Sequence, residues 1–162
     1  MNSDIIDSLL ADWAKQKPDM AGTGMAASAR IIHLGNRFEQ NVNQFLKTHG
    51  INYTDFDILA TLRRKGSPFQ LSPGELQKSV ILTSGAMTAC LKRLENKGLV
   101  KRTVSDGDRR GVKVTLTTKG NTLIEESIAG RFALADKSVC ALDESELSTL
   151  ITLLRKISLS SG

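Results

Sequence analysis

Residues 72–117 read SPGELQKSVILTSGAMTACLKRLENKGLVKRTVSDGDRRGVKVTLT, and the fold turns on this stretch. It opens with Ser72-Pro73-Gly74-Glu75. The serine caps a helix, the proline's fixed φ suits the first helical position, and the glutamate reaches back to the cap. This helix is short and fades near Val80. Ile81-Leu82 link it to Thr83-Ser84, a second capping pair, and the next helix runs from Gly85 to Asn96 before Gly98 stops it. Leu99 to Val104 reads as a strand. Val112, Val114 and Leu116 alternate with Lys113 and Thr115 as a second strand, and Ser105-Asp106-Gly107-Asp108 between them is turn chemistry.

The order is helix, turn, helix, basic hairpin. Such a pair holds its second helix against the first, so that the second can enter the major groove of duplex DNA. In the second helix Met87, Cys90, Leu91 and Leu94 recur at helical spacing and face inward. Ser84, Gly85, Ala86, Thr88, Ala89 and Lys92 then face outward. They are small or polar, which suits a groove about 12 Å wide. The N–H groups at the helix start, around Thr83 to Ala86, can hold a phosphate oxygen. On the hairpin, Lys101, Arg102 and Lys113 are placed for backbone phosphates, and Arg109 at the tip for an adjacent minor groove. The DNA-contacting set is therefore Ser72, Thr83, Ser84, Ala86, Thr88, Ala89, Lys92, Arg93, Lys101, Arg102, Arg109 and Lys113. Asp108 and Arg110 can pair to stiffen the turn.

Charge follows the same division. Residues 72–117 carry nine Lys or Arg against four acids, while 1–71 carry eight against seven and 118–162 five against six. The positive excess of +5 thus collects in one central stretch, the footprint of a phosphate-binding module. Apolar residues make up 40% and charged residues 24% of the 162, the composition of a globular protein. No apolar run approaches the ~18 residues that cross a bilayer, so no membrane partner is expected. Met1 to Leu10 has no basic residue and does not resemble a secretory signal. The two cysteines, Cys90 and Cys140, form neither a disulfide framework nor a zinc pattern, and a cytoplasmic location follows. His33 and His49 share no acid cluster. No metal, cofactor or nucleophile–base pair is expected, and the chain does not read as an enzyme.

Helical stripes flank this centre. Ser3 to Lys15 carries Ile5, Ile6, Leu9, Leu10 and Trp13, and Met25 to Thr48 carries Ile31, Leu34, Phe38, Val42, Phe45 and Leu46. A third helix is expected to start at a Thr54 cap answered by Asp57, with Phe56, Ile58, Leu59 and Leu62 inward. After the hairpin come helices over Lys119 to Lys137 and, capped by Asp143, Glu144 to Ile157. The fold class is mainly α with a small antiparallel β wing. One domain spans 1–162, with a DNA-binding lobe at 54–117 and dimerisation helices at 1–50 and 118–162. Apolar stripes buried across a two-fold axis would make a homodimer and fix half-site spacing.

Three blocks make the chain resemble the MarR family of bacterial regulators. They are Leu94-Glu95-Asn96-Lys97-Gly98-Leu99-Val100, Asp106-Gly107-Asp108-Arg109-Arg110 and Val114-Thr115-Leu116-Thr117-Thr118-Lys119-Gly120. The resemblance implies a winged helix-turn-helix repressor, a homodimer on a palindromic operator, and a small-molecule effector that releases it. It also implies that Asp108 and Arg110 brace the wing and that Arg109 sits near its tip. The N-terminal helix with Trp13 is similar to the urate-responsive branch, which pairs such a tryptophan with an acid at the Asp57 position and an arginine in the recognition helix. Here Ala89-Cys90 stand where that branch has Asn-Arg, so an anionic purine loses its cation. Trp13, His33, Asp57 and Cys90 form the expected ligand pocket. The alternative functions are a thiol-based redox sensor using Cys90 or Cys140, and a protein-interaction module on the same fold.

Overall fold

The structure, a computed structural model, describes residues 3–20, 22–80, 84–104 and 111–160. Two compact units divide the chain, residues 1–44 and 45–162. Among the described residues no helix is long and apolar enough to cross a membrane.

The first unit holds α1 (Ile5–Gln16) and most of α2 (Thr23–Lys47). The Asp4 side chain caps α1, accepting from the Ile6 and Asp7 amides at 2.9 and 3.0 Å, while Asp7 returns a bond to the Asp4 amide. Arg30 on α2 reaches both acids, at 2.8 Å from Asp4 and 2.5 Å from Asp7. The Asp7 amide first, and then Arg30, hold the Asp4 carboxyl below its ordinary range. One guanidinium thus ties α2 to the cap of α1.

The second unit carries the helix-turn-helix. Its elements are α3 (Tyr53–Arg64), β1 (Gln70–Leu71), α4 (Pro73–Ser79), α5 (Ser84–Asn96), β2 (Val100–Val104), β3 (Val112–Leu116), α6 (Thr118–Ser138) and α7 (Glu144–Ser160). Ile58, Leu59, Leu62, Leu76, Leu94 and Val114 are wholly buried and join α3, α4, α5 and β3 around one core. Burying each such leucine or isoleucine contributes on the order of 2 kcal/mol. The sheet runs β1-β3-β2, all antiparallel, with Val100 opposite Leu116 and Val104 opposite Val112. The hairpin pairing is the expected one. β1 is not, because two residues are too few to show an alternation; Gln70 and Leu71 pair with Thr115 and Val114.

The start of α3 corrects the expected cap. Asn52, not Thr54, is the N-cap, and its Oδ1 accepts the Asp55 amide at 2.8 Å. Asp55, not Asp57, answers it. Asn is at least as good a cap as Thr, and this register buries Phe56, Ile58, Leu59 and Leu62 as the stripe requires. Asp57 is thereby released from capping. The caps at Ser72 for α4 and Asp143 for α7 stand as read: the Glu75 amide donates to Ser72 Oγ at 3.2 Å, and the Glu146 amide to Asp143 Oδ1 at 2.9 Å.

Candidate nucleic-acid interface

The α5 helix divides along its length as its periodicity demands. Met87, Cys90, Leu91 and Leu94 are buried, whereas Gly85, Ala86, Thr88, Ala89 and Lys92 are exposed. No acid stands on the exposed face before Glu95. The helix starts at Ser84, whose side chain, like the whole of Thr83, lies outside the described residues. The wing tip does too, so Arg109 and the expected brace of Asp108 and Arg110 are not placed.

The remaining candidates sit beside α5 or on the sheet. Lys101 and Arg102 are exposed on β2, and Arg102 Nε lies 3.2 Å from Glu95 Oε2. Lys113 on β3 lies 3.5 Å from Glu75, whose carboxyl is brought down to about 2, chiefly by the Ser72 amide and then its hydroxyl. Both pairs stand in solvent, where such contacts contribute little. A phosphate oxygen can displace either acid. Ser72 is half-buried and committed to its cap, donating its hydroxyl to Glu75 at 2.7 Å.

Arg93, expected on DNA, is also engaged within the chain. It turns to Asp55 on α3, with Nε at 2.9 Å and Nη2 at 2.7 Å from Oδ1. Cys90 donates its thiol to the same oxygen at 3.2 Å. Burial, and then that carboxylate, push the Cys90 thiol up to about 12. A thiolate is therefore strongly disfavoured at Cys90, which opposes a redox-sensing role there. We expect iodoacetamide at pH 8 to label the exposed Cys140 in the native protein and to spare Cys90 until the chain is unfolded. Peptide mass spectrometry reads both sites, and rapid labelling of native Cys90 would contradict this environment.

A cavity of about 570 Å³ opens between α3 and α6, walled by Tyr53, Phe56, Asp57, Arg64, Arg131 and Phe132 among others. Burial raises the Asp57 carboxyl, against the pull of Arg64. Arg63 also lines this space; it is paired with Glu125 of α6 and stacks on Phe69 at 5.2 Å from the ring centre. Sequence reasoning found only Asp57 here, because Arg63 and Glu125 lie 62 positions apart and share no local pattern. Of the other expected pocket residues, Cys90 lies on the buried face of α5 against Asp55 rather than on this wall. Trp13 lines a groove within the N-terminal unit, with Leu10, Ala14, Met20 and Met25, and His33 is exposed on α2. Among the described residues no cluster of His, Cys, Asp or Glu is arranged to hold a metal.

Comparison with known proteins agrees with this architecture. The sequence model of the MarR family matches residues 51–112. The HTH-type transcriptional regulator PecS of Dickeya dadantii (strain 3937) is 26% identical over 152 residues, spanning 94% of this chain and 92% of that protein. The crystal structure of a mutant MarR from E. coli complexed with operator DNA superposes with a TM-score of 0.72 at 28% identity, covering 96% of this chain and 99% of that one. The multiple antibiotic resistance protein MarR of Escherichia coli (strain K12) is 33% identical over 131 residues, which cover 79% of this chain and 88% of that protein. Likeness of that extent shows that the chain belongs to the MarR family of winged helix-turn-helix transcriptional regulators.

Proposed function

We propose that this chain is a dimeric repressor that binds a palindromic DNA operator through α5 and the wing and is released by a small-molecule effector. The observation that carries the reading is the exposed face of α5: Gly85, Ala86, Thr88, Ala89 and Lys92, slim and without acid, flanked by Lys101 and Arg102. Gly85 to Ala89 would meet base edges, while Lys92, Lys101, Arg102, Lys113 and the wing's Arg109 would hold phosphates. Asp108 and Arg110 keep their proposed role as the brace of the wing.

The second copy is argued from α7. That helix buries none of its residues within the chain, and Ile151, Leu153, Leu154 and Ile157 are exposed along it. An apolar stripe of this kind is too costly to leave in water and fits the same stripe on a second copy across a two-fold axis. The dimerisation helices are proposed at 1–50 and 118–162, with the DNA-binding lobe at 54–117. The cavity between α3 and α6 is the proposed effector site; its aromatic walls, its three arginines and Asp57 suit a small amphipathic molecule.

The test uses a duplex that the protein itself enriches from a randomised library, and a shuffled duplex of the same composition. Gel shifts at two salt concentrations should show the selected duplex bound more tightly. Its affinity should fall steeply with salt, because lysines and arginines displace condensed counterions. Failure to shift the selected duplex even at low salt sinks the reading and favours a protein-interaction module. Light scattering should give twice the chain's 17.6 kDa.

A further inference from the structure

We infer that Asp55 is a positioning residue for DNA recognition: from α3 it grips Arg93 and so sets the roll of α5 that points Gly85, Ala86, Thr88 and Ala89 outward. The inference rests on the reading of α5 as the DNA-entering helix. Asp55 is fixed at its own end. Its amide donates to the Asn52 cap at 2.8 Å, and its carboxylate is 1% exposed. Three side chains, Cys90 and Arg93 of α5 and Lys97 just past its end, converge on that one group. Cys90 lies 3.2 Å away, Arg93 makes two bonds at 2.9 and 2.7 Å, and Lys97 Nζ is 3.5 Å from Oδ2. Lys97 also donates to the Gly50 carbonyl at 2.7 Å, tying the end of α5 to the turn before α3.

Apolar packing settles which face of α5 turns inward, but it does not fix the roll to within a few tens of degrees. Met87, Leu91 and Leu94 are held by a force that is not directional. A planar guanidinium on a carboxylate is directional. A buried carboxylate stripped of its partners is strongly disfavoured, so rolls of α5 that pull Arg93 away are excluded. The geometry makes small rolls matter. A turn of about 20° moves a side-chain tip some 5 Å from the helix axis by about 2 Å, enough to break a base contact. Asp55 thus governs recognition from a place that DNA never reaches.

The competing view is that Arg93, whose side chain is 38% exposed, simply touches a phosphate. The full chain separates the two, using Asp55→Asn, Arg93→Lys, Arg93→Met and the double variant Asp55→Asn/Arg93→Met. Affinities are measured for the selected and shuffled duplexes across a salt series. Asp55→Asn should lower the selected-to-shuffled ratio about tenfold, with shuffled binding and the salt slope unchanged. Arg93→Lys should do the same, since an amine cannot make the fork. The double variant should lose no more than the worse single. It removes both charges from the buried site, and its ratio decides the matter where a single variant fails to fold.

The inference is overturned if Arg93→Lys and Asp55→Asn keep the wild-type ratio while Arg93→Met lowers the salt slope by about one phosphate. It is also overturned if selected and shuffled affinities fall together with the melting midpoint, which would make the cluster a stabiliser only. A library from which the wild-type chain enriches nothing is a different failure: it removes the DNA reading beneath.

Discussion

Gly120→Ala is expected to destabilise the protein by at least ~2 kcal/mol, although alanine is the better helix former by about 1 kcal/mol. Gly120 is buried at the third position of α6, and its amide donates to the Thr117 cap at 3.0 Å. A Cβ there would lie 2.1 Å from the Leu99 carbonyl oxygen and 3.0 Å from a Leu116 methyl. That carbonyl cannot swing aside, because it accepts the Thr117 amide at 3.1 Å and the Thr117 hydroxyl at 3.1 Å. The methyl group would push α6 off the base of the wing. A melting midpoint lower by about 4–8 °C is the predicted result, and a raised midpoint would contradict the packing. Gly130→Ala is the control. Its Cβ would meet the tip of the Phe45 ring at 2.5 Å, a flexible side chain rather than backbone, so its loss should be smaller.

Ala89→Glu should lower affinity for the selected duplex about 100-fold and leave stability within ~0.5 kcal/mol of the parent. Ala89 is exposed in the middle of α5, so the longer side chain meets solvent in the free protein, and glutamate sustains a helix. On DNA the same side chain would put bulk and negative charge into the groove among phosphates. Fluorescence anisotropy reads the first effect and a thermal melt the second. Unchanged binding would remove α5 from the interface.

These two residues show what the sequence could and could not reveal. The exposed face of α5 was legible, because inward and outward positions follow from helical period alone, as Met87, Cys90, Leu91 and Leu94 did. The Ser72 cap was legible because its whole motif lies within four residues. Gly120 stood inside a recognisable block, yet the carbonyl it must clear belongs to Leu99 on another element. The pairing of Arg93 with Asp55 was hidden for the same reason: the two lie 38 positions apart, and no local pattern joins them. The α3 cap failed through a local ambiguity, since Asn52-x-x-Asp55 and Thr54-x-x-Asp57 are equally good boxes two residues apart. In the structure the Phe56 amide bonds to the Asn52 carbonyl at 3.0 Å, so the helix is already under way before Thr54 could cap it. The cavity drew its walls from α3 and α6, and no local window contains both.

The central claim is that α5 of each of two subunits occupies the major groove of one operator. Guanine N7 faces that groove, so methylation by dimethyl sulfate reports its occupation directly. On the selected duplex the wild-type protein should protect guanines in two patches on one face, centred about one helical turn, or a whole multiple of it, apart. Ala89→Glu should protect neither. Guanines that stay fully reactive in a shifted complex, or a single patch where two are required, would contradict the account.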